Sequence, residues 1–156
     1  MRKAATHRTP RLNVLVADDN DSELQLLHEA LNREGMKVHV VEVHDGLEVI
    51  DYLQGRARFS DRDTYPMPDL LLLDLKMRCY SGFDVLRWLR KHPACGKIPT
   101  VILSGSGLDR DVDQAYALGA NTYFEKPMSF NEFVTLIHTL LQYWARSKRP
   151  LHPVTC

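Results

Sequence analysis

The chain has 156 residues, of which 44% are hydrophobic and 26% charged, and its formal net charge is zero. This composition is ordinary for one globular domain that buries a substantial core, and neither a secretion signal nor an apolar run of the ~18 residues that span a membrane is present, so we expect a cytoplasmic protein. Basic residues gather near both ends and leave an acidic body between them, which argues against nucleic acid as a partner.

Five short β-rich runs alternate with segments of helical pattern along the chain. The first, third and fourth runs are almost wholly apolar, which is typical of strands covered on both faces. We predict strands at residues 12–17, 38–43, 70–74, 100–104 and 121–125. The polar connection 54–68, which precedes the third strand, is predicted to run over the surface as a long loop.

Apolar residues at helical spacing predict five helices. Gly35 ends the first helix, and Ser129 with Glu132 fits a capping box at the start of the fifth. The strict alternation of strand and helix predicts an α/β fold of the flavodoxin-like kind, a doubly wound, five-stranded parallel sheet in the order 2-1-3-4-5. The five apolar stripes are Leu24, Leu27, Leu31; Leu47, Ile50, Leu53; Phe83, Leu86, Leu89; Leu108, Val112, Ala115, Leu118; and Phe130, Phe133, Val134, Ile137, Leu140, Leu141, Trp144.

Residues able to do chemistry gather where the predicted strands end. Asp18 and Asp19 follow the first strand, Asp74 ends the third, Ser104 ends the fourth, and Lys126 follows the fifth. Ligands of open α/β sheets bind outside these ends, so we expect the five side chains to converge. Taken singly, the aspartate pair can be a helix cap, and the serine and lysine can belong to ordinary turns.

Taken together, the same residues predict a metal-assisted phosphoryl transfer. Carboxylates at close range repel one another unless they take up protons or bind a cation. A donor set made only of oxygen suits a hard cation such as Mg²⁺, which keeps several of its waters. A metal, an ammonium and a hydroxyl around a spare carboxylate, Asp74, form the arrangement that phosphoryl transfer to a nucleophile requires.

These motifs resemble the receiver domain of two-component response regulators. The resemblance covers residues 12–144, which leaves a basic tail at 1–11 and a C-terminal extension at 145–156. Two positions depart from the family pattern, since Arg78 and Ser81 stand where receivers usually carry proline and aspartate. The matching pieces are Val16-Ala17-Asp18-Asp19, Leu73-Asp74 with Gly82, Leu103-Ser104-Gly105, Leu118-Gly119-Ala120 and Lys126-Pro127.

The resemblance implies a phosphoacceptor and a set of metal ligands. Asp74 would be the phosphoacceptor. Mg²⁺ would be bound directly by Asp19, mainly through water by Asp18, by Asp74 itself, and by the backbone carbonyl of Lys76. Apart from its own phosphorylation and dephosphorylation, such a protein is not an enzyme.

The resemblance also implies the residues that sense the phosphoryl group. Ser104 would donate a hydrogen bond to it and Lys126 would pair with it. Tyr123 matches the aromatic switch residue that swings inward. The Lys126–Pro127 peptide bond is expected to be cis.

Within the family, the chain is most similar to standalone regulators that serve bacterial phytochrome-type histidine kinases. The connection 54–68 and the stretches 118–123 and 142–144 carry this finer resemblance. Such a kinase is therefore the expected phosphodonor. No output domain is expected after residue 156, so the output would be the binding of an unknown downstream protein, without nucleic acid or membrane.

The fifth predicted helix has more apolar positions than one stripe against the sheet needs. Tyr143 and Trp144 lie at its far end. We expect the surplus to form a homodimer through the face of the fourth helix, fifth strand and fifth helix. The alternative is that these residues only hold down the extension 145–156.

Three other protein classes fit the sequence less well. A haloacid-dehalogenase-like phosphatase needs a second acid two residues after the nucleophile, where this chain has Lys76, and a flavin-binding electron carrier needs a glycine-rich phosphate loop after the first strand. A receiver-like scaffold without phosphorylation usually lacks an acid or the lysine. The three cysteines, Cys79, Cys95 and Cys156, argue against a disulfide framework and a zinc site.

Overall fold

Strands and helices alternate through the whole described part of the chain, which in this computed structural model comprises residues 11–150 and 154–156. The expected basic tail therefore lies outside the described residues, except for Arg11. None of the described helices is both long enough and apolar enough to cross a bilayer. The elements are β1 (Leu12–Ala17), α1 (Asp21–Glu34), β2 (Val38–Val43), α2 (Gly46–Gln54), β3 (Leu70–Leu73), α3 (Gly82–Lys91), β4 (Thr100–Ser104), α4 (Asp109–Ala117), β5 (Thr122–Glu125) and α5 (Phe130–Arg146).

The five strands form one parallel sheet in the order β2-β1-β3-β4-β5. This confirms the predicted fold class and strand order. The third strand ends one residue earlier than predicted, because its ladder with β1 stops at the pair of Leu73 and Ala17. Asp74 is nevertheless fixed to β1, since its N–H donates to the carbonyl of Ala17 at 3.0 Å.

The leucines of β3 divide the core into two layers. Leu71 and Leu73 pack with residues of α2 and α3 on one face of the sheet. Leu70 and Leu72 pack with residues of α1 and α5 on the other. All four are buried, and so the continuous apolar run that predicted a doubly covered strand is accounted for.

Two helices differ in detail from their predicted apolar stripes. Leu47 is 51% exposed, whereas Ile50 and Leu53 of the predicted stripe are buried together with Val49 and Tyr52. Leu108 is also exposed, because it precedes α4 as its N-cap and not as part of the packed face. A short apolar stripe does not determine which face of a helix packs against the sheet, since neighbouring faces of the helix carry similar residues.

The connection 54–68 runs over the surface as predicted, with nearly all of its residues exposed or half-buried, but one aromatic side chain anchors it. Phe59 is buried and stands between Tyr52 and Tyr65, with ring centroids 5.1 and 5.2 Å away. The guanidinium of Arg62 donates to the carbonyls of Tyr52 at 2.8 Å, Leu53 at 2.9 Å and Tyr65 at 3.2 Å. These aromatic contacts and hydrogen bonds fold the connection onto the end of α2.

Residues 147–150 and 154–156, here called the post-α5 segment, pack near the amino ends of the strands. Arg149 Nε lies 3.8 Å from Asp69 Oδ1, immediately before β3, and Val154 packs against the core. Cys156 forms a disulfide with Cys95, a single pair that the odd number and wide spacing of the cysteines had not indicated. The two cysteines are 61 positions apart, and only the return of the segment to the sheet brings them together.

Candidate functional site

Two buried carboxylates lie side by side at the carboxyl ends of β1 and β3. Asp18 is 6% exposed and Asp74 is 7% exposed. Their backbones are held by the sheet, because the Asp18 N–H donates to the carbonyl of Val43 at 3.1 Å and the Asp74 N–H to that of Ala17 at 3.0 Å. Asp18 Oδ1 also accepts from the N–H of Asn20 at 2.9 Å. The parallel sheet therefore fixes where both acids stand.

Lys126, which follows β5, reaches across to these acids. Its N–H donates to the carbonyl of Ser104 at 2.8 Å, which holds the residue against the end of β4. Its ammonium Nζ donates to Asp18 Oδ2 at 2.8 Å, to Asp74 Oδ2 at 3.1 Å and to Glu23 Oε2. One cation thus stands among three carboxylates, and the cluster keeps a net negative charge.

Burial and charge act in opposite directions on the acids of this cluster. Burial raises the pKa of Asp74 above its usual range, the charge of Lys126 lowers it, Asp18 raises it, and the balance is a raised pKa. Burial likewise raises the pKa of Glu23. For Lys126, burial alone would lower the pKa, but the charge of Asp74 and the hydrogen bonds to Asp18 and Glu23 outweigh it and raise the pKa, so the lysine stays protonated.

The three acids fit a divalent cation. One oxygen each from Asp18, Glu23 and Asp74 lie within 4.8 Å of one another. A compact set of carboxylate oxygens suits a hard divalent metal ion. Glu23 was missed from the sequence, because an acid in the first turn of a helix is already explained by the helix dipole. Its position in the turn that follows Asp18 and Asp19 was the available signal.

Asp19, predicted as a direct metal ligand, is not among these three acids, whereas the backbone of Lys76 contacts one of them. Asp19 Oδ2 accepts from the N–H of Arg78 at 3.1 Å, and Arg78 Nε lies 3.7 Å from it. The backbone N–H of Lys76 donates to Asp74 Oδ1 at 3.3 Å, while its side chain is exposed. The structure therefore brings together Asp18, Asp74 and Lys126, with Asp19 turned towards the β3–α3 connection.

Ser104 and Tyr123 meet at a third residue, Ser106. Ser104 is fully buried, and its Oγ accepts from the N–H of Ser106 at 3.2 Å. The hydroxyl of Tyr123 donates to the carbonyl of Ser106 at 2.6 Å. Ser106 Oγ donates to Asp111 Oδ2 of α4 at 2.5 Å. The predicted sensing serine and switch tyrosine are thus connected through one buried residue.

The backbone around the site is trans and closely packed. The expected cis bond between Lys126 and Pro127 is not found, since the described residues contain no cis peptide bond, and the trans form already places the Lys126 N–H on Ser104. Gly82, at the start of α3, packs against the backbone of Asp74. A Cβ at Gly82 would lie 2.3 Å from the carbonyl oxygen of Asp74 and 2.8 Å from Leu75 Cα.

Comparison with known proteins gives a consistent result. Residues 14–138 match the family model of the response regulator receiver domain. The chain is similar to response regulator Rcp1 of Synechocystis, with 26% identity over 131 residues that cover 84% of this chain and 87% of that protein.

Two solved structures are also similar to this chain over 90% of its length and 99% of theirs. One is response regulator RPA3017 in red light signaling of R. palustris, with 33% identity and a TM-score of 0.83. The other is the phosphorylated cyanobacterial phytochrome response regulator RcpA, with 27% identity and a TM-score of 0.82.

Proposed function

This chain belongs to the response regulator receiver family, and on that premise we propose that it accepts a phosphoryl group on Asp74 in a phosphorelay. The observation that carries the assignment is the position of the Asp74 carboxylate. It is nearly buried at a strand end, it lies 3.1 Å from the ammonium of Lys126, and two further acids are in contact with the same ammonium. Among the described residues, this cluster joins a nucleophile, a cation and a set of metal donors.

The proposed cation is Mg²⁺, held by Asp18, Asp19 and Asp74 with the carbonyl of Lys76. Glu23 is a further candidate ligand, since its carboxylate oxygen belongs to the same compact group. When bound, such a cation would offset the negative charge of the phosphoryl oxygens. Support for a divalent ion also comes from Rcp1, for which a structure of the Mn²⁺-bound form is known.

The residues of this chain would act on the phosphoryl group in three ways. A carboxylate oxygen of Asp74 would attack the phosphorus and displace the donor's leaving group. Lys126 opposes the effect of burial on the pKa of Asp74, which favours the ionised, nucleophilic form, and would then pair with the transferred group. Ser104 would exchange its contact with the Ser106 N–H for a hydrogen bond to the phosphoryl oxygen.

Incubation with acetyl phosphate and Mg²⁺ should add a single acid-stable, base-labile phosphoryl group, detected by intact mass. Asp74→Asn should prevent the addition, because the amide is not a nucleophile. Asp113→Asn, the same change at an exposed position of α4, should leave the yield as in the wild type. Chelation of the metal should suppress the reaction. A comparable yield from Asp74→Asn would contradict the assignment.

The proposed phosphodonor is a histidine kinase of the bacterial phytochrome type. Similarity to RcpA, which is a phytochrome response regulator, and to RPA3017, which acts in red light signaling, supports this class of kinase. Action in the cytoplasm and output through a downstream protein are proposed with it.

A homodimer through the face of α4, β5 and α5 is part of the proposal. Tyr116 on α4 and Tyr143 on α5 are large exposed side chains, and Tyr143 is 66% exposed. Trp144 is better explained by the alternative function of holding the post-α5 segment, because it lines a cavity with Ser147 and Pro150. The proposal therefore rests on the two tyrosines.

Tyr143→Asp should weaken self-association by about tenfold, since tyrosine is among the residue types enriched where one side chain contributes more than 1 kcal/mol to an interface. Gln142→Asp, the same new charge at the neighbouring exposed position, should have a smaller effect. Sedimentation velocity with and without acetyl phosphate measures both variants. A wild-type protein that stays monomeric at tens of micromolar in both states would exclude the dimer.

A further inference from the structure

Two cysteines outside the phosphorylation site are joined in a disulfide. Cys95 lies in a 3₁₀ turn (Cys95–Lys97) between α3 and β4 and is 1% exposed. Cys156 belongs to the post-α5 segment and is exposed. The two cysteines are 61 positions apart in sequence, and the covalent loop that their bond closes contains β4, α4, β5 and α5. It therefore also contains Ser104, Tyr123 and Lys126.

The disulfide is one of several contacts that hold the post-α5 segment. Val154 packs against the buried core, and Arg149 lies 3.8 Å from Asp69, whose other carboxylate oxygen accepts from the N–H of Asn13 at 2.8 Å. Between the segment and the strand ends lies a cavity of about 240 Å³ whose lining includes Trp144 and Ile98. A short segment with few buried contacts opens easily unless a covalent bond restrains it.

We propose that Cys95 and Cys156 form a redox-active pair whose thiol–disulfide exchange decides whether the post-α5 segment is anchored. The reaction partners are low-molecular-weight or protein dithiols and disulfides. Oxidation ties the segment to the turn between α3 and β4. Reduction releases it and uncovers the apolar side chains at the amino ends of the strands. The proposal does not depend on phosphorylation of Asp74.

The difference in burial between the two cysteines determines which sulfur is attacked. The thiolate of an external dithiol attacks the sulfur of Cys156, since that residue is exposed and Cys95 is not. The bond to Cys95 breaks, and Cys95 leaves with the electron pair and takes up a proton. This first attack leaves a mixed disulfide between Cys156 and the reductant. The second thiol of the reductant then attacks the reductant sulfur of that bond and releases Cys156, which also takes up a proton. Two electrons and two protons pass from the dithiol, which becomes the disulfide.

Counting free thiols by alkylation tests the pair directly. The full chain is equilibrated with oxidised or with reduced dithiothreitol, which leaves no lasting mixed disulfide on a lone thiol such as Cys79. The reagent is then removed, and the chain is denatured and treated with a maleimide. We expect one labelled cysteine after oxidation, the exposed Cys79, and three after reduction. In Cys79→Ser, we expect no labelled cysteine after oxidation and two after reduction. Three labels in the oxidised wild type, or a bond that involves Cys79 in the peptide map, would overturn the proposal.

Limited trypsin digestion tests the release of the segment. Cleavage after Arg146 or Lys148 should be about tenfold faster in the reduced protein than in the oxidised protein, because cleavage requires local opening. Cys156→Ser should be cut at the fast rate under both conditions, and Cys79→Ser should follow the wild type. Cys156 is exposed, so its substitution leaves the core intact. Equal rates for oxidised and reduced wild type would refute the anchoring role.

Discussion

Replacement of Lys126 with methionine should lower the free energy of unfolding by about 3–5 kcal/mol at neutral pH without metal, which is the usual cost of leaving buried charges without their partner. The Lys126 ammonium contacts Asp18, Asp74 and Glu23 and is itself largely buried. Methionine has a similar length but no charge, so three carboxylates would face one another. Urea denaturation in the presence of a chelator measures the loss.

The loss should shrink as the pH falls. Asp74 and Glu23 already have pKa values above their ordinary 3.8 and 4.5, and without the charge of Lys126 both values should rise further. A carboxyl group with a raised folded-state pKa binds a proton on folding, so stability increases as the pH falls through that raised value towards the ordinary one. The difference between variant and wild type should therefore narrow from neutral pH down to the range near those ordinary values.

Two comparison variants distinguish the effect of the acidic cluster on stability from a general effect of replacing a lysine. Lys76→Met, at an exposed position nearby, should change stability by no more than about 0.5 kcal/mol. The double variant with Asp74→Asn should lose less than Lys126→Met alone, because one of the facing charges is removed. A pH-independent loss in Lys126→Met would instead indicate lost packing of the aliphatic stem.

Gly82→Ala should destabilise the protein by about 3 kcal/mol, at the upper end of what an added methyl costs in a closely packed site. The new Cβ would stand 2.3 Å from the carbonyl oxygen of Asp74 and 3.0 Å from its carbonyl carbon. Backbone atoms cannot rotate away as a side chain can, so α3 or the end of β3 must shift. The midpoint of urea denaturation measures the effect, and the yield of phosphorylation should fall with it.

Gly105→Ala is the matched control for this substitution. A Cβ at Gly105 would meet nothing within 4 Å, and the residue does not need the left-handed backbone region. Its effect should stay within about 0.5 kcal/mol. If Gly82→Ala cost less than about 1 kcal/mol, the packing behind Asp74 would be looser than the structure indicates.

The residues that pattern alone could place are those fixed by the sheet. Asp18, Asp74 and Ser104 each stand at or directly after a strand, and a parallel sheet brings such positions to one edge. Their convergence with Lys126 was therefore predictable from strand order. The bounds of β1, β2 and β4 were predictable too, because alternating or continuous apolar runs define them.

Other features depend on contacts that no local pattern specifies. The side chain of Glu23 reaches the acids only because of the direction in which α1 leaves β1, and Asp19 turns to Arg78, a residue of a distant connection. The burial of Phe59 depends on two tyrosines from either side of its own turn. The pairing of Cys95 with Cys156 depends on the path of the segment after α5. In each case the deciding interaction is long-range and involves a single side chain.

Ser106, which follows the carboxyl end of β4, links three elements of the fold. Its N–H, carbonyl and hydroxyl bind Ser104, Tyr123 and Asp111, which belong to β4, β5 and α4. Its side chain is buried and all its polar groups are engaged, so a movement of one of these elements changes hydrogen bonds to the other two. We therefore expect a displacement of the Ser104 hydroxyl to be passed through Ser106 to Tyr123 and Asp111 in one discrete step and not by a graded adjustment.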